Sequence, residues 1–581
     1  MKIVVANSVG VDRNGFHMVH VPSRWSLGVR NFTNCAYYPW ELAYTSSLLK
    51  RETPYDVKML DGVRAAWDFD AYFKRLCAEK PDWLVMESSS RTIAEDLRLA
   101  AAAKKEFGTR TILAGQHPMA EPEETLKIAD YVCIGEYEYS ALDLIRGKDP
   151  KTIPGVYPNG RAGLLDIDSL PFPEDEDVRR IDYHEPNCRY RQVQMYASRG
   201  CPRRCNFCAA ATLYYDELNW RPRNPASVVR EIRALKEKYP EMEGVFFDEE
   251  THNIRKSFNI ALAQAIRAEG LDGLKYEAMC EYASFDEEAF AEMRRAGYYK
   301  IRVGVETASD AVAQHMTLGK KHDIAKLRRM LTFGKSLGMT FYGTFSMGGL
   351  GSSEEEDQKT ADLIGELSGK GLLDEIQVSI NTPQPGTDFY RTALKESYLR
   401  PAGDWADFDG NGHVVVDYPH YKADRIQSMF QKALSAFDSG KKISARETFM
   451  AGAERSFEQI PPDSRVLVLR SVRSWMVLLL VEALKRRQAR VDALGQDSVL
   501  PELTANPLID RSYSYGDGFF SARSAPAPLV SQLKENRYDF AVLPMANNHL
   551  DGYQNVREVA RLIHPKRTLG VYPDGSARFL D

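Results

Sequence analysis

Three cysteines lie close together in the segment ASRGCPRRCNFCAA. Cys201, Cys205 and Cys208 have the spacing C-x3-C-x2-C and directly follow the strand-like segment QMYAS. Thiolates are the usual ligands of iron–sulfur clusters, and a cluster held only by protein normally takes four of them. Three local cysteines would leave one iron open to chelate the amine and carboxylate of a small molecule. That arrangement could pass an electron into a bound sulfonium ligand.

Two other interpretations of these cysteines stay open. They could hold a structural zinc ion with a fourth ligand from elsewhere in the chain, or they could bind no metal. The aromatic Phe207 directly before the last cysteine, and the position of the loop after a strand, favour the cluster. The other five cysteines are scattered along the chain, and we predict that they are not ligands: Cys35, Cys77, Cys133, Cys188 and Cys280.

Composition limits the class of protein. The net charge is −5 and no Lys/Arg-rich block occurs, so we expect neither a nucleic-acid partner nor a membrane surface. The longest apolar run, near Trp475 to Ala483, is shorter than the ~20 residues that span a bilayer. The first residues, MKIVVANSVG, are typical of a strand and not of a signal peptide. Eight cysteines in 581 residues do not form a disulfide scaffold, and we expect a cytoplasmic protein.

Apolar strand-like runs alternate with amphipathic helices along most of the chain, which predicts an α/β protein. Residues 1–145 predict a doubly wound domain, and residues 146–190 a proline- and acid-rich linker. Six further strand–helix units in residues 191–395 predict a partial β/α barrel, whose active site would lie at the C-terminal strand ends. A helical extension over residues 396–460 and a third α/β domain over residues 461–581 follow.

The cysteine segment resembles the signature of the radical S-adenosylmethionine (SAM) superfamily, C-x3-C-x-aromatic-C. The resemblance continues in order over residues 190–395, in the branch of that superfamily that carries a cobalamin domain. It rests on WRPRNPASVVREI from Trp220, VFFDEET at 245–251, RVGVETAS at 302–309, FSMGGLGSSEEE from Phe345 and NTPQPGTDFY at 381–390. This sequence departs from the family at Thr307, where serine is usual. Its glycine-rich turn also lacks a proline and a glutamate directly after Gly351.

The resemblance implies that Cys201, Cys205 and Cys208 hold a four-iron, four-sulfur (4Fe-4S) cluster. It also implies a SAM site formed by Phe207, Asp248, Glu249, Gly304, Glu306 and Gly348. One acid among Asp248, Glu249 and Glu250 could accept a hydrogen bond from the methionine ammonium, and Glu306 could bond the ribose hydroxyls. From the residues alone, the acids could instead cap a helix, Glu306 could pair with Arg302 or Lys300, and the glycines could form a simple turn.

Residues 1–145 resemble the cobalamin-binding domain found at the front of this branch. The resemblance rests on YYPWELAYTSSLL, ESSSRT, AGQHP and CIGEYEYSALDLI, which occur in the family's order. It implies cobalamin contacts on three strand-end loops: Ser88, Ser89, Thr92, Gly115, His117, Gly135, Glu136, Tyr137 and Glu138. The D-x-H-x-x-G sequence that supplies a cobalt ligand in cobalamin mutases is absent. We therefore interpret His117 as a contact to the corrin edge or nucleotide tail, with a histidine that only stabilises its turn as the alternative. For the domain as a whole, the alternative is a doubly wound domain that has lost its cofactor.

These features predict a cobalamin-dependent radical SAM enzyme, a methyltransferase acting on an unactivated carbon of a small-molecule substrate. An external electron donor such as flavodoxin or ferredoxin would reduce the cluster. One alternative within the same family is an oxidative cyclase that transfers no methyl group. An alternative of another class is a non-enzymatic sensor that binds cobalamin or zinc.

Overall fold

The computed structural model describes residues 1–12, 15, 17–20, 28–31, 36–183, 185, 187–319, 322–401, 405–410, 412–516, 522, 525–547, 549, 550 and 552–580. Cys35 lies outside the described residues. Three sheets built mainly of parallel strands follow one another along the chain, and helices cover them, as the strand–helix alternation predicted. Within the described ranges, no helix combines the length and the apolar character needed to cross a bilayer.

The first sheet forms a doubly wound domain. Its elements are β1 (Lys2–Asn7), β2 (His17–His20), β3 (Gly28–Asn31), α1 (Trp40–Glu52), β4 (Asp56–Asp61), α2 (Gly62–Ala65), α3 (Phe69–Glu79), β5 (Trp83–Glu87), α4 (Ile93–Phe107), β6 (Arg110–Ala114), α5 (Gln116–Ala120), α6 (Pro122–Thr125), β7 (Tyr131–Val132) and α7 (Glu138–Ile145). The parallel order is β4-β1-β5-β6-β7. Alternate residues of β1 enter two different cores, Ile3 and Val5 on one face and Val4 and Ala6 on the other.

All five predicted strands of this domain are present. The antiparallel hairpin of β2 and β3 was not predicted. The strand order reverses between β1 and β5, and ligands of such sheets bind at the carboxyl ends of the strands near this reversal. Those ends carry Ser88 to Thr92 and Gly115 to His117.

The second sheet is an open barrel segment. Its elements are β8 (Gln192–Met195), β9 (Ser198–Arg199), β10 (Arg221–Pro222), α8 (Pro225–Lys238), β11 (Gly244–Phe247), α9 (Lys256–Ala268), β12 (Lys275–Glu281), α10 (Glu287–Arg295), β13 (Tyr298–Glu306), α11 (Asp310–His315), α12 (Ile324–Ser336), β14 (Thr340–Met347), α13 (Glu354–Gly369), β15 (Glu375–Ile380) and α14 (Asp388–Lys395). Six parallel strands follow in the order β15-β14-β13-β12-β11-β8. This confirms the predicted partial β/α barrel. The short β9 and β10 pair with each other beside it.

A long helix leads to the third sheet. It is α15 (Ala423–Ser456), which lies within residues 396–460, predicted as a helical extension. The elements after it are β16 (Arg465–Leu469), α16 (Ser474–Arg486), β17 (Arg490–Gly495), α17 (Leu500–Ala505), β18 (Arg511–Ser514), α18 (Ala527–Glu535), β19 (Phe540–Pro544), α19 (Gln554–Ile563), β20 (Arg567–Val571) and β21 (Ala577–Phe579). The order is β18-β17-β16-β19-β20-β21, with only β21 antiparallel.

Helix α15 packs very closely on α13 of the barrel. A Cβ atom at Gly440 would lie 2.7 Å from the backbone nitrogen of Gly369 and 2.8 Å from the carbonyl oxygen of Gly365. Both obstacles are backbone atoms of a packed helix, so they cannot move aside cheaply. By contrast, a Cβ atom at Gly365 would lie at an ordinary 3.6 Å from the Cβ atom of Ala436.

We therefore expect Gly440→Ala to lower the melting temperature of the protein. The clash should outweigh the roughly 1 kcal/mol by which alanine favours a helix over glycine. The matched control is Gly365→Ala, which should keep or raise the melting temperature because it gains the same propensity without a clash. Thermal unfolding of both variants checks this, and an equal shift in the two would contradict the close helix contact.

Candidate active site

The three motif cysteines lie on one loop beyond the C-terminal end of β8. The loop runs from β9 to a π-helix at Ala210–Tyr214, and all three thiols are half-buried. The backbone N–H of Cys208 donates to the carbonyl of Cys205 at 3.1 Å. Asn206 fixes the loop to the segment after α11, since its backbone N–H donates to the carbonyl of Met316 at 3.1 Å and its side chain to that of His315 at 2.9 Å.

Burial sets the acidity of two of these thiols. It raises the pKa of Cys201 to about 12 and that of Cys208 to about 11. Backbone N–H groups act in the opposite direction, from Arg203 on Cys201 and from Ala210 and Ala211 on Cys208. Such N–H groups stabilise a thiolate, and metal ligation requires the thiolate form. The donor set therefore fits an iron–sulfur cluster.

A single metal ion is a different case. In the described part of the chain, no three His, Cys, Asp or Glu side chains are grouped as they would be around one ion. A three-cysteine cluster site has another geometry, because each thiolate binds a different iron.

A buried ion cluster fixes the start of the cysteine loop. Arg199, two residues before Cys201, is fully buried, and its Nη1 lies 2.7 Å from Glu138 Oε1 and 3.1 Å from Glu136 Oε1. Arg221 of the adjacent β10 reaches Glu136 at 2.8 Å. Burial raises the pKa of Glu138; it opposes ionisation of Glu136 too, but Arg199 and Arg221 hold the pKa of Glu136 below its usual value.

These contacts involve two of the predicted cobalamin-binding residues, whose contact to cobalamin stays a prediction. Glu136 and Glu138 were predicted to contact cobalamin, but their carboxylates face the barrel and pair with its arginines. Tyr137 between them is fully buried. A Cβ atom at Gly135 would lie 2.8 Å from Cγ of Arg161, so this glycine accommodates the chain after α7. The segment Gly135–Glu138 thus belongs to the domain interface.

The acids after β11 have separate roles. Glu249 is fully buried, and its Oε2 accepts from the backbone N–H groups of Ala197 at 2.5 Å and Ser198 at 2.9 Å. Its Oε1 lies 2.7 Å from His252 Nδ1. Both oxygens accept from protein groups, so Glu249 supports the turn between β8 and β9; its contact to SAM stays a prediction.

The two acids on either side of Glu249 are half-buried. Glu250 accepts from the backbone N–H of Gly200 at 3.1 Å and from the hydroxyl of Tyr215 at 3.0 Å, which places its carboxylate beside the cysteine loop. Asp248 is anchored through its backbone N–H, which donates to the carbonyl of Met195 at 3.1 Å.

Glu306 ends β13 with an unusual backbone. Its φ is 69°, and the register between β13 and β14 shifts between Gly304 and Glu306. A non-glycine residue in the left-handed region is uncommon, and such strain concentrates at functional sites. A bulge of this kind re-aims the side chain. The Glu306 carboxylate is close enough to Cys208 to contribute to the raised pKa of that thiol.

The alternative partners proposed for Glu306 lie elsewhere. Lys300 Nζ is 2.8 Å from Glu375 Oε2, and Arg302 pairs with Glu277 and Glu185. These pairs lie toward the start of the barrel strands, away from the cysteine loop.

Gly348 has a structural role that the sequence did not predict. Its backbone N–H donates to Asp357 Oδ2 at 2.8 Å, and its carbonyl accepts from the hydroxyl of Tyr418 at 2.9 Å. A Cβ atom there would lie 2.7 Å from Cγ2 of Ile426 in α15. The glycine therefore allows close packing of α15, while its place in the SAM site stays a prediction. Phe207 packs beside Val312 and Met316.

The strand-end loops of the first domain form a second polar region. Ser89 Oγ is fully buried and has no hydrogen-bond partner among the described residues. Such an orphaned hydroxyl fits a ligand that supplies the missing partner. Gly115 has φ 99°, and a Cβ atom there would lie 2.6 Å from the carbonyl oxygen of Ser88. Thr92 and Ser88 lie on the same buried loop.

His117 is held in the same region. Its Nδ1 lies 3.0 Å from Ser90 Oγ, and its ring stands edge-on to Trp405 at 5.4 Å. Burial lowers the pKa of His117 to about 4, so the ring is neutral at neutral pH. The neighbouring Gln116 donates from Nε2 to the carbonyl of Pro385 at 2.7 Å. Because Pro385 follows β15, the ligand-facing edges of the first two sheets meet here.

Sequence reasoning missed Arg199, Arg221 and Trp405. The only local signal for Arg199 is its position between a strand and the first cysteine. Its acidic partners are about sixty residues earlier in the chain.

A model of the radical SAM superfamily matches residues 195–364, which include the cysteine loop, Glu250 and Glu306. The chain carries a radical SAM domain. The match indicates that the chain is an enzyme, which confirms the sequence prediction. The matched residues cover β9 to β14.

The similarity to known proteins extends beyond the radical SAM domain. An uncharacterised methyltransferase of Pyrococcus horikoshii is 24% identical over 71% of this chain and 90% of its own length. An anaerobic magnesium-protoporphyrin IX monomethyl ester cyclase of Synechocystis is 23% identical over 60% of this chain and 71% of its own length.

Two solved structures share the fold. The cobalamin-dependent SAM radical enzyme OxsB, solved with aqua-cobalamin and SAM, has a TM-score of 0.58 at 13% identity, over 84% of this chain and 71% of OxsB. The radical SAM methyltransferase TsrM of Kitasatospora setae, solved with cobalamin and a 4Fe-4S cluster, has a TM-score of 0.52 at 15% identity, over 76% of this chain and 88% of TsrM.

We expect Cys205→Ala to lose the cluster, because one of only three local thiolates is removed. Iron and sulfide in anaerobically purified protein measure this. The control is Cys77→Ala in α3, whose half-exposed thiol lies in the first domain and should leave iron and sulfide unchanged. Full cluster content in Cys205→Ala would contradict the ligand assignment.

Proposed function

We propose that this chain is a cobalamin-dependent radical SAM methyltransferase that methylates an unactivated carbon of a small-molecule substrate. The observation that carries the proposal is the contact between the ligand-facing edges of the first two sheets. The Gln116–Pro385 hydrogen bond lies there, and a Cβ atom at Gly386 would be 2.9 Å from that of Ala120. A ligand at the strand ends of either domain would therefore lie beside a ligand of the other. The similarity to cobalamin-containing and methyltransferase proteins supports the same function.

Cys201, Cys205 and Cys208 would hold the 4Fe-4S cluster, and the strand-end loops of the first domain would hold cobalamin. When bound, these groups would supply the electron that cleaves SAM and the methyl group for transfer. The chain's own residues bind and orient these ligands and exclude water. An external flavodoxin- or ferredoxin-like protein would donate the electron, in the cytoplasm.

For SAM we propose the ammonium contact on Asp248, Glu249 or Glu250, and we favour Asp248 and Glu250 because they are half-buried whereas Glu249 is fully buried. A carboxylate offers about four acceptor positions, so Glu250 can accept from an ammonium in addition to Gly200 and Tyr215. Glu306 would accept from the ribose hydroxyls, since the bulge at the end of β13 turns it toward the cysteine loop. Gly304 and Phe207 would line the same site.

For cobalamin we retain Ser88, Ser89, Thr92, Gly115 and His117 as contacts. The Ser89 hydroxyl would donate a hydrogen bond to an acceptor on the ligand, which would supply the partner that it lacks among the described residues. His117 would contact the corrin edge or nucleotide tail through its ring, which Ser90 and Trp405 hold in place. None of these groups is proposed as a cobalt ligand.

An oxidative cyclase without methyl transfer remains a second candidate, supported by the similarity to the cyclase of Synechocystis. Reconstituted enzyme incubated with SAM carrying a deuterated methyl group and candidate substrates separates the two. A product that contains the labelled methyl group supports methyl transfer. Formation of 5′-deoxyadenosine with an unlabelled product would favour cyclisation or oxidation.

We expect Glu306→Gln to keep its iron but to bind SAM about tenfold or more weakly. The loss of a hydrogen bond to a charged group costs roughly 1.5–3 kcal/mol. Anaerobic calorimetry of SAM binding to the reconstituted protein measures the change. The control is Glu237→Gln on the exposed face of α8, which should bind SAM like the parent protein. Unchanged SAM affinity in Glu306→Gln would make Glu306 a structural residue.

We expect the first domain to bind cobalamin without a protein nitrogen on cobalt. The electron paramagnetic resonance spectrum of the cob(II)alamin-loaded protein should then lack nitrogen superhyperfine splitting. The spectrum of His117→Ala should be the same, with only the amount of cobalamin retained reduced. A nitrogen splitting that disappears in His117→Ala would make this histidine the cobalt ligand and overturn the assignment.

A further inference from the structure

The third sheet has a cavity where open α/β sheets bind their ligands. The strand order reverses between β16 and β19, and the helices that follow these strands cover opposite faces: α16 packs with Val466 and Val468, α19 with Leu467 and Leu469. Crevices at such reversals are the usual ligand positions. A cavity of about 460 Å³ opens there, at the carboxyl ends of β16 and β17. Its volume suits a small organic molecule.

Arg470 is an isolated cation in the wall of this cavity. Its Nη1 donates to Gln496 Oε1 at 2.6 Å, while its Nε is buried and has no partner among the described residues. No carboxylate in the described ranges lies within ion-pair distance of it. Burial and the nearby Arg473 lower the pKa of Arg470. Charges withdrawn from water are normally paired; in the described part of the chain, this half-buried guanidinium has only the more distant carboxylates of Asp438 and Glu502.

Arg473, which also lines the cavity, has a carboxylate partner. Its Nε and Nη2 lie 3.0 and 2.7 Å from the two carboxylate oxygens of Asp438 in α15. The loop between β16 and α16 thus carries one arginine paired with a carboxylate and one that has no ion pair among the described residues.

Helix α16 begins directly after this loop. Its N-cap residue makes no side-chain capping bond, and the backbone N–H groups of Ser474 and Trp475 donate to no acceptor in the described part of the chain. The N-terminus of a helix favours negative charge and offers free donors. The cavity wall includes Arg470 to Arg473, the residues directly before these donors.

Ser471, Gln496 and Asn555 add polar groups to the wall, and most of the remainder is apolar and aromatic. Leu469, Leu494 and Val556 line it together with Tyr515 and Tyr553. The hydroxyl of Tyr553 already accepts from the backbone N–H of Ala546 at 2.8 Å, which leaves its ring for contact. A ligand with an anionic end and an apolar or ring-shaped part would match both halves of the wall.

We propose that this cavity binds a small phosphate monoester, with its phosphate against Arg470 and the start of α16 and its organic part along Tyr515 and Val556. A phosphate has three terminal oxygens for the guanidinium and the two helix N–H groups, whereas a carboxylate has two. The site is separate from the radical SAM domain and adds a binding function to the third domain.

Calorimetry on the full-length chain tests the proposal with phenyl phosphate, inorganic phosphate, phenol and benzoate. These probes lack adenine and a sulfonium, so they do not resemble SAM. Phenyl phosphate should bind more tightly than the other three. Arg470→Met should weaken its binding about tenfold or more, because a charged hydrogen-bond partner is removed. The control is Arg490→Met at the opposite, exposed end of β17, which should bind phenyl phosphate unchanged.

Arg470→Lys provides a second variant if Arg470→Met does not fold, which thermal unfolding of the unliganded protein reveals. Lysine keeps the charge but lacks the planar guanidinium group. We therefore expect both phenyl phosphate and inorganic phosphate to bind more weakly. Absence of phenyl phosphate binding at millimolar concentration, or equal affinity in the parent and Arg470 variants, would overturn the site. Benzoate binding as tightly as phenyl phosphate would overturn the assignment to phosphate esters.

Discussion

The buried guanidinium of Arg199 connects the first domain to the loop that carries the motif cysteines. Its partners Glu136 and Glu138 both come from the first domain, while Arg199 itself lies two residues before Cys201. Its guanidinium also stands 4.9 Å from the ring centroid of Tyr44 in α1. A buried charge without its partners is strongly destabilising. The position of the cysteine loop therefore depends on the docking of a separate domain, and the two cannot vary independently.

Carboxylates fix the same loop from the barrel side. Glu249 accepts backbone N–H groups just before β9, and Glu250 accepts the N–H of Gly200 directly before Cys201. Consecutive acids at one strand end thus divide between a buried support and a half-buried group beside the thiols. The sequence alone gives three adjacent acids without this distinction. Only the pairing of β8 with β11, which brings Met195 opposite Phe247, decides which acid turns inward.

Features carried by local sequence were predicted correctly. The strands of the first domain and the barrel follow from short apolar runs between amphipathic helices, and the cysteine spacing is a single-loop property. Features that need a distant partner were not. The pairing of Glu136 and Glu138 with Arg199 joins residues far apart in the sequence, and so does the contact of Gly348 with Ile426 in α15. The hairpin of β2 and β3 is too short and too polar to have a pattern.

The contact between the first two sheets also explains the position of the extension after the barrel. Trp405, from this extension, stands against His117, and Gln384 of the barrel donates to the carbonyl of Phe408 at 3.0 Å. The extension thereby closes over the place where the two sheet edges meet. Burial keeps His117 neutral and leaves the Ser89 hydroxyl without a hydrogen-bond partner among the described residues, which costs free energy unless a ligand supplies one. Radical chemistry makes the same demand on its site, because a reactive intermediate must meet its target before it meets solvent.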